Sequence, residues 1–355
     1  MALTLTSIAQ VAAFDFDAVI DVRSPAEFAE DHLPGAINLP VLDDEERVRV
    51  GTIYKQNCPF AARKLGAALV ARNAALHLEG PLADKPGGWR PLVYCWRGGQ
   101  RSGSFASILS QVGWRVELVE GGYKSWRRLV VDHVQEHPVT APVVVLDGNT
   151  GSAKTELLTQ IAAKGVQVID LEGLANHRGS LFGDRDRGQP SQKAFESQLA
   201  LALAGLDTTR PVVVEAESSR VGNLFVPKQL WAAMCAAPRI RIAAPVAARA
   251  AYLARAYADI SADAARLEAV VARLRPLHAA DVVSGWQDLA KTGAFEALAL
   301  ALMQAHYDPR YDRHRARFTP EREHLLEVDS LAPDALAHLA DAVIASVDAL
   351  TSTPA

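Results

Sequence analysis

Short apolar runs alternate with helical stretches along most of the chain. The runs with the length of buried strands are 18–22, 91–94, 115–119, 143–146, 166–171, 211–215 and 240–243. Between them, apolar residues recur with the spacing of amphipathic helices, as over 104–111 and 189–204. Strands that alternate with helices predict parallel sheets covered by helices, so we assign the chain to the α/β class.

A linker with two prolines, Glu136–Pro142, separates two such α/β patterns. From residue 246 onward the pattern is mainly helical, and it closes with an amphipathic helix predicted over 331–350. The predicted organisation is an α/β domain over 1–135, a second α/β domain over 136–245, and a helical C-terminal region over 246–355 that packs on the second domain.

Composition limits the functional classes. The chain has 355 residues, of which 49% are hydrophobic, enough for the cores of two domains. Its net charge of -4 means that nucleic-acid binding would require a local basic patch. The three cysteines are far apart and lack metal-binding spacing, which predicts a reducing cytoplasm. Neither a signal peptide nor a membrane-spanning run of about 20 apolar residues is predicted.

The first candidate site is the loop that begins at Cys95, between a predicted strand and a predicted helix. Gly98 and Gly99 would let the backbone turn tightly without a Cβ clash. Backbone amides at a helix start lower the pKa of a nearby thiol, and the thiolate is the nucleophile. Arg97 and Arg101 would bind an anion or stabilise the thiolate. We predict a catalytic cysteine, with a buried structural cysteine as the alternative.

The second candidate site is a phosphate-binding loop, Asp147-Gly-Asn-Thr-Gly-Ser-Ala-Lys-Thr155, which nearly matches the P-loop pattern. Its amides would cradle phosphate, Lys154 would reach the terminal phosphate, and Thr155 would hold Mg²⁺. Ala153 stands where the pattern has glycine, which costs about 1 kcal/mol if this position needs a positive φ. The predicted phosphate-binding residues are Gly148, Asn149, Thr150, Gly151, Ser152, Lys154 and Thr155.

Polar residues follow two further strands of the second domain. Such positions often carry function in a P-loop protein, where a carboxylate holds Mg²⁺ or orients water. Mg²⁺ is therefore a candidate cofactor, and the pattern does not choose between Glu215 and Glu217 as its ligand. The residues of this second group are His177, Arg178, Ser180, Glu215, Glu217 and Arg220.

Arginines interleave with aromatic residues over 307–318, a composition suited to phosphate contacts and base stacking on RNA. A solvated helix is the alternative interpretation. The candidate RNA-binding residues are Lys55, Arg310, Arg313 and Arg315.

Several motifs of the first domain resemble the rhodanese family: Asp21–Phe28, His32–Pro40, the cysteine loop and Glu120–Trp126. In that family the loop cysteine carries sulfur or selenium as a persulfide or perselenide. The five residues between Cys95 and Arg101 also match cysteine phosphatases of rhodanese-like fold. A longer loop makes room for a phosphate-sized group.

Over about residues 8–320 the chain is similar to the tRNA 2-selenouridine synthase family. The further motifs that carry this resemblance are Gly51–Gln56, Asp147–Gly151, Asp170–Gly183 and Glu215–Arg220. It implies a rhodanese-like parallel-sheet domain followed by a P-loop NTPase-like α/β domain. It also implies that geranyl diphosphate S-alkylates 2-thiouridine at the wobble position of tRNA. Selenophosphate then supplies selenium, and the geranyl thiol leaves.

On this resemblance the P-loop would bind the diphosphate of geranyl diphosphate. Cys95 would deliver selenium, with Arg97 and Arg101 steering selenophosphate. Both compounds are substrates, so no tightly bound cofactor is expected, and tRNA is the expected partner. Two alternatives stay open: a nucleotide-regulated sulfurtransferase or rhodanese-fold phosphatase that never touches RNA, and a non-catalytic RNA-binding module. No oligomeric state is predicted, and no membrane association is expected.

Overall fold

A computed structural model describes residues 2–56, 58–315 and 322–352, with only the backbone for residues 314 and 315. The chain divides into two compact units. The first extends to His137 and also includes residues 190–205, and the second comprises 138–189 and the chain from Leu206 onward. The sequence places 190–205 in the second domain, whereas this segment packs with the first unit.

The first unit is built on a parallel sheet. Its strands are β1 (Ala2–Leu3), β2 (Ala18–Asp21), β3 (Ala36–Asn38), β4 (Pro91–Tyr94) and β5 (Glu117–Val119). The accompanying helices are α1 (Ile8–Ala12), α2 (Pro25–Glu30), α3 (Asp44–Gln56), α4 (Pro59–Glu79), α5 (Gln100–Val112) and α6 (Tyr123–Val131), which continues as a π-helix over Asp132–Glu136. The strands pair in the order β1-β5-β4-β2-β3, all parallel, which confirms the predicted fold class.

Both faces of this sheet are buried, as expected when successive strand residues point to opposite sides. Val93 of β4 packs with Phe105 and Leu109 of α5 on one face. Its neighbour Tyr94 packs with Trp126 of α6 on the other face. The end of β4 is therefore held by helices on both sides, and this is where the cysteine loop begins.

The second unit also has a parallel sheet. The strands that follow β5 are β6 (Val143–Gly148), β7 (Gln167–Ile169), β8 (Val212–Glu215), β9 (Arg220–Val221), β10 (Leu224–Phe225), β11 (Arg239–Ala243) and β12 (Glu323–Glu327). The sheet order is β12-β11-β6-β8-β7, all parallel, while β9 and β10 form a small antiparallel hairpin. The predicted phosphate-binding loop follows β6, the central strand.

Most of the helices after α6 belong to the second unit. They are α7 (Lys154–Ala163), α8 (Leu171–Leu174), α9 (Gln192–Ala204), α10 (Lys228–Ala236), α11 (Val246–Ala256), α12 (Ala258–Ser261), α13 (Ala264–Ala272), α14 (Ala280–Lys291), α15 (Phe295–Leu302) with a π-helix over Met303–Tyr307, α16 (Asp308–Arg315) and α17 (Pro333–Thr351). The exception is α9, which lies in the first unit. None of the described helices has the length and apolar content needed to cross a membrane.

The C-terminal region is mainly helical, as predicted, but it also contributes β12 to the sheet. This strand pairs in parallel with β11, from Arg239 opposite Glu323 to Ala243 opposite Glu327. The closing helix α17 forms over nearly the predicted residues and buries Leu336 and Val343 in the core that also holds Leu157 of α7. The segment 323–351 thus completes the sheet and the core of the second unit.

Helix α9 is attached to the first unit by polar and apolar contacts. Ser197 donates a hydrogen bond to the buried carboxylate of Asp31 at 2.8 Å, and the Lys193 ammonium pairs with Glu30 at 2.6 Å. Ala200 packs into the core around Trp126. The helix forms as its amphipathic pattern predicts, but its partners lie more than 160 residues earlier in the chain.

Candidate active sites

The first candidate site is the loop between β4 and α5. Cys95 follows the last residue of β4, and only 3% of its surface is exposed. The amide of Gly99 donates to its Sγ atom at 3.3 Å, and the Ser102 hydroxyl donates to the same atom at 3.1 Å. The sulfur therefore sits at the start of a helix with two directed donors.

These donors set the ionisation of the thiol. Burial by itself raises the pKa of Cys95, but the Ser102 hydroxyl, nearby backbone amides and the Arg101 guanidinium outweigh it. The net effect lowers the pKa of Cys95 below its ordinary value, because each donor favours the thiolate. The chemistry predicted for Cys95, a nucleophilic thiolate, is physically available in this loop.

The loop is fixed against the segment that follows β5. The amide of Tyr123 donates to the Cys95 carbonyl at 2.8 Å, and a Cβ on Gly122 would come within 2.2 Å of the same oxygen. Gly98 has a φ of +65°, as the turn requires. Gly99 instead has a φ of -100°, and a Cβ there would meet nothing within 4 Å, so the steric requirement for glycine falls on Gly98.

Three arginines surround a cleft that opens beside the cysteine: Arg47, Arg97 and Arg101. Arg97 is exposed, whereas Arg101 is mostly buried and pairs with Glu27 at 2.6 Å. Arg47 also approaches Glu27, at 3.6 Å. The predicted anion-binding role of Arg101 is thus moderated by a carboxylate. Sequence reasoning missed Glu27 and Arg47, and the one local signal is that Glu27 sits in the first turn of α2.

The second candidate site is the loop between β6 and α7. Residues 150–155 line a basin of about 260 Å³, measured as the space open to the centre of a water molecule. The Lys154 ammonium donates to the Gly148 carbonyl at 2.8 Å, across the loop. Gly151 has a φ of +83°, and a Cβ there would come within 2.9 Å of Leu253. Glycine is required at Gly151 on both counts.

Ala153 adopts the left-handed conformation for which the P-loop pattern has glycine. Its φ is +60° and its ψ is +24°, so the conformational cost of about 1 kcal/mol expected from the sequence applies. Only 3% of the residue is exposed, and it packs with Leu157 in the core. Burial of the alanine methyl group stabilises the folded protein by about 0.8 kcal/mol, which nearly offsets the conformational cost, so the loop tolerates alanine.

Carboxylates lie beside the start of α7. Thr155 donates its hydroxyl to Glu172 at 2.9 Å, and the Glu172 amide donates to Glu215 at 2.6 Å. The second carboxylate oxygen of Glu215 is buried without a hydrogen-bond partner. The sequence offered Glu215 or Glu217 as the carboxylate of this site, whereas the one that contacts Thr155 is Glu172. The sequence feature that could have identified Glu172 is its position just after β7, where functional polar residues of parallel sheets often lie.

The ionisation of these groups reflects their burial. Burial, reinforced by the negative charge of Glu172, raises the pKa of Glu217 to about 8 and that of Glu215 well above its ordinary value. Burial alone would lower the pKa of Lys154, but Tyr311 and the carboxylates of Glu172 and Glu217 raise it. Lys154 therefore keeps its positive charge at neutral pH, while the raised pKa of Glu217 favours its protonated form beside the negative charge of Glu172.

A divalent cation can be accommodated at this point only with help from substrate. The described residues contain no group of three His, Cys, Asp or Glu side chains arranged to hold a metal ion. Mg²⁺ commonly uses one or two protein oxygens together with waters and phosphate oxygens. The hydroxyl of Thr155 and the carboxylate of Glu172 fit that pattern, so the residues present are compatible with Mg²⁺.

The loop after β7 brings its predicted residues to the same region. Arg178 pairs with Asp259 at 3.0 Å and stacks over Tyr257, and both Arg178 and Ser180 line the P-loop basin. His177 is buried and accepts a hydrogen bond from the Gly179 amide at 3.0 Å. Because burial opposes the charged ring, the pKa of His177 is lowered. The loop is held by these contacts, and the side chains of Arg178 and Ser180 face the predicted phosphate site.

A larger polar cleft of about 780 Å³ adjoins the basin, since Ser180 and Tyr311 line both spaces. The predicted residues that line this cleft are His177, Ser180, Glu217, Arg220 and Arg310. Arg220 is exposed and stacks over Phe225, with its guanidinium 4.8 Å from the ring centre. The cleft therefore combines cationic and aromatic groups in one polar surface.

The other candidate RNA-binding residues are surface residues. Lys55 is exposed near the end of α3 in the first unit. Arg313 is exposed on α16 and donates to the Pro309 carbonyl at 3.0 Å. The side chain of Arg315 and the predicted motif beyond it, residues 316–318, lie outside the described residues.

Two residues that contact the P-loop, Arg249 and Asp308, are not among the site residues that the sequence predicts. Arg249 of α11 pairs with Asp308 at 2.8 Å and donates to the Thr150 carbonyl at 3.0 Å. Asn149 donates to Asp308 at 3.1 Å. A buried cation thus ties the loop to the helices of the C-terminal region.

A strand-end cysteine loop on one parallel sheet and a P-loop on another define a rhodanese-like domain joined to a P-loop domain. Sequence models agree, because the rhodanese-like domain matches residues 8–129 and the tRNA 2-selenouridine synthase AAA domain matches residues 141–273. The chain belongs to the tRNA 2-selenouridine synthase family, as its similarity to curated relatives shows.

Three relatives illustrate the similarity, and each is named tRNA 2-selenouridine synthase. The protein from Aeromonas salmonicida is 38% identical over 72% of this chain and 68% of its own length. Those from Alcanivorax borkumensis and Pseudomonas syringae pv. syringae are each 41% identical, over 63% and 62% of this chain. The matches span only 62% and 60% of the lengths of these last two relatives.

Proposed function

We propose that this protein replaces the sulfur of 2-thiouridine in tRNA with selenium, through an S-geranyl intermediate. The observation that carries the proposal is that one chain of this family joins a strand-end cysteine, whose sulfur accepts hydrogen bonds from Gly99 and Ser102, to a P-loop-like turn that lines a basin. The names of the relatives, tRNA 2-selenouridine synthase, give the overall reaction its support. Geranyl diphosphate and selenophosphate are the substrates that we assign to the two sites.

The first step is assigned to the P-loop. The sulfur of 2-thiouridine attacks the first carbon of geranyl diphosphate, the carbon–oxygen bond breaks, and pyrophosphate leaves. Lys154 and the loop amides stabilise the negative charge that develops on the leaving group. Mg²⁺ held by Thr155 and Glu172 would add positive charge there. Alkylation is useful because it converts a thiocarbonyl sulfur into a thiol leaving group.

The thiouridine that reacts must reach the P-loop basin. The polar cleft adjoins that basin and carries Arg220 and Arg310, which suit contacts with the RNA backbone. Tyr311 lies on the walls of both the cleft and the basin. An unpaired base stacked on this ring would bring its sulfur toward the diphosphate. Tyr311 is therefore assigned to positioning the base.

The second step is assigned to Cys95. Arg47 and Arg97 attract the anionic selenophosphate to the cleft. The Cys95 thiolate attacks its phosphorus, the phosphorus–selenium bond breaks, and hydrogenselenide is freed. Selenium then attacks C2 of the base, the bond from C2 to the geranyl-bearing sulfur breaks and the geranyl thiol leaves, while water hydrolyses the S-phosphocysteine to phosphate. Because Cys95 acts only in this step, its loss leaves the alkylated nucleoside as the product.

The test is a reaction with a thiolated tRNA, geranyl diphosphate and selenophosphate, followed by digestion and mass analysis of the nucleosides. Wild-type protein should form 2-selenouridine, and Cys95→Ser should accumulate S-geranyl-2-thiouridine. Cys58→Ser is the matched control, because Cys58 is exposed and lies outside the cleft, and it should behave as wild type. Lys154→Met should leave 2-thiouridine unchanged.

An unchanged nucleoside with wild-type protein, once tRNA and both substrates are verified, would refute the proposal. The sulfurtransferase and phosphatase alternatives would then be tested with thiosulfate and a phosphate monoester. Direct formation of 2-selenouridine by Lys154→Met at the wild-type rate would remove the P-loop from the reaction.

A further inference from the structure

A narrow apolar slot lies in the second unit, among the helices of the C-terminal region. Its walls are formed mostly by aliphatic and aromatic side chains from α11, α12, α13 and α15, among them Leu253, Ile260, Leu267, Phe295, Leu298 and Leu302. The space open to the centre of a water molecule is about 80 Å³, less than a third of that in the P-loop basin. The slot is thus apolar and thin.

The slot adjoins the P-loop basin. Thr150, Ser180, Leu253 and Tyr257 line both spaces. Thr150 belongs to the loop that would hold phosphate, so one wall of the slot lies at the predicted phosphate site. A group attached to a phosphate on this loop would therefore start beside the slot.

The side chains that line the slot determine which kind of group can bind in it. A nucleoside exposes hydroxyls and ring nitrogens, and burying them without hydrogen-bond partners is costly. Thr150 and Ser180 line both spaces. The slot has further hydroxyls from Tyr257, Ser261 and Tyr307, and the rest of its lining consists of Leu, Ile, Phe, Ala and Met side chains. A hydrocarbon chain has no hydrogen-bonding groups, and its transfer from water into an apolar pocket is favourable. The slot therefore favours a lipid-like tail over a nucleoside.

We infer that this slot holds the hydrocarbon chain of a prenyl diphosphate whose diphosphate lies on the P-loop. The inference rests on the proposed function and deepens it by locating the prenyl pocket. Most of the wall residues belong to the C-terminal region that the sequence predicts to be helical. Each methylene of the chain that leaves water should strengthen binding about fourfold.

Ala299 offers a direct test, because it lines the slot from α15 and is partly buried. Ala299→Trp should fill the space and lower the affinity for geranyl diphosphate at least tenfold. The affinity for inorganic pyrophosphate, which has no chain, should stay within twofold of wild type. Calorimetric titration of the full-length protein with both ligands measures the two affinities separately.

Ala297→Trp is the matched control, because Ala297 lies on the same helix, two residues away, and is exposed. It should leave both affinities unchanged. Ala254→Phe fills the slot from another helix, α11, and should repeat the selective loss. This second variant decides the matter if Ala299→Trp also loses pyrophosphate binding, which would signal misfolding of that variant.

Unchanged binding of geranyl diphosphate by either folded slot variant would overturn the inference. So would wild-type protein that binds geranyl diphosphate no more tightly than pyrophosphate. The proposed function can be refuted separately. If wild-type protein binds geranyl diphosphate in a slot-dependent way but never alkylates thiolated tRNA, the prenyl-binding role of the slot is supported and the proposed reaction is refuted. If alkylation occurs and both slot variants bind geranyl diphosphate normally, the reaction is supported and the role of the slot is refuted.

Discussion

At the scale of single residues, the ionisation of Cys95 depends on one side chain that can be removed. The Ser102 hydroxyl donates to Sγ at 3.1 Å and stabilises the thiolate, so the pKa of Cys95 lies below its ordinary value. Ser102→Ala should therefore raise this pKa and slow alkylation of Cys95 near pH 7 by about tenfold. The measurement is the rate of iodoacetamide alkylation from about pH 5 to 10, with Cys58 and Cys235 replaced by serine in all proteins.

The lowered pKa of Cys95 determines how the alkylation rate of wild-type protein compares with that of Ser102→Ala. As pH rises, the wild-type rate should reach its plateau first, because its thiol loses the proton at lower pH. Ser104→Ala is the matched control, since Ser104 is exposed one residue beyond Gly103 on the same helix. Identical midpoints for wild type and Ser102→Ala would show that the backbone amides alone hold the thiolate.

At the scale of elements, the P-loop is positioned by two helices of the C-terminal region. Arg249 of α11 joins the Thr150 carbonyl to Asp308 at the start of α16. Arg249→Gln removes the charge that balances a mostly buried carboxylate, and it should destabilise the second unit by about 2 kcal/mol. Affinity for pyrophosphate should also fall. Thermal unfolding and calorimetric titration measure the two effects.

Arg255→Gln is the control for this change. Arg255 is exposed near the end of the same helix, and its guanidinium donates to the Leu331 carbonyl at 3.1 Å without pairing with a carboxylate among the described contacts. Its replacement should cost well under 1 kcal/mol. Equal losses in the two variants would mean that the helix, and not the ion pair, determines the stability of the loop.

Local patterns predicted the two loops because everything that defines them is close in sequence. A buried strand, glycine-containing turn and helix start lie within about a dozen residues at both Cys95 and Lys154. Their partners were not predictable in this way. Glu27 and Arg101 are 74 residues apart, and Arg249 and Asp308 are 59 apart. Many carboxylates could pair with each arginine, and only the tertiary arrangement selects one.

The edge strand β12 shows a second reason for a missed prediction. Its sequence, Glu-His-Leu-Leu-Glu, contains no long apolar run, and four of its five residues are exposed. This strand joins the sheet through backbone hydrogen bonds with β11, and such pairing does not require a recognisable pattern of apolar side chains. For α9 the amphipathic pattern correctly predicts a helix that buries Phe195 and Leu199, but not the unit against which it packs.

At the scale of the whole molecule, the net charge of -4 limits how the proposed partner, tRNA, can bind. A polyanion must find local positive patches on such a protein. Arg310 lines the polar cleft, and Arg313 is exposed on the same helix. Replacing both with glutamine should weaken tRNA binding. It should also make the dependence of log K on log salt shallower by about 1.4, or 0.7 for each lost phosphate contact.

Filter binding over about 50 to 200 mM salt measures both quantities, because the slope counts the counterions released on binding. The control is Lys164→Gln with Arg210→Gln, which removes the same charge from residues outside the cleft: Lys164 pairs with Asp341, and Arg210 donates to the Gly165 carbonyl. Because phosphate contacts are local, this control should keep the wild-type slope. Equal slopes in the two double variants would mean that overall charge, and not this cationic surface, governs tRNA binding.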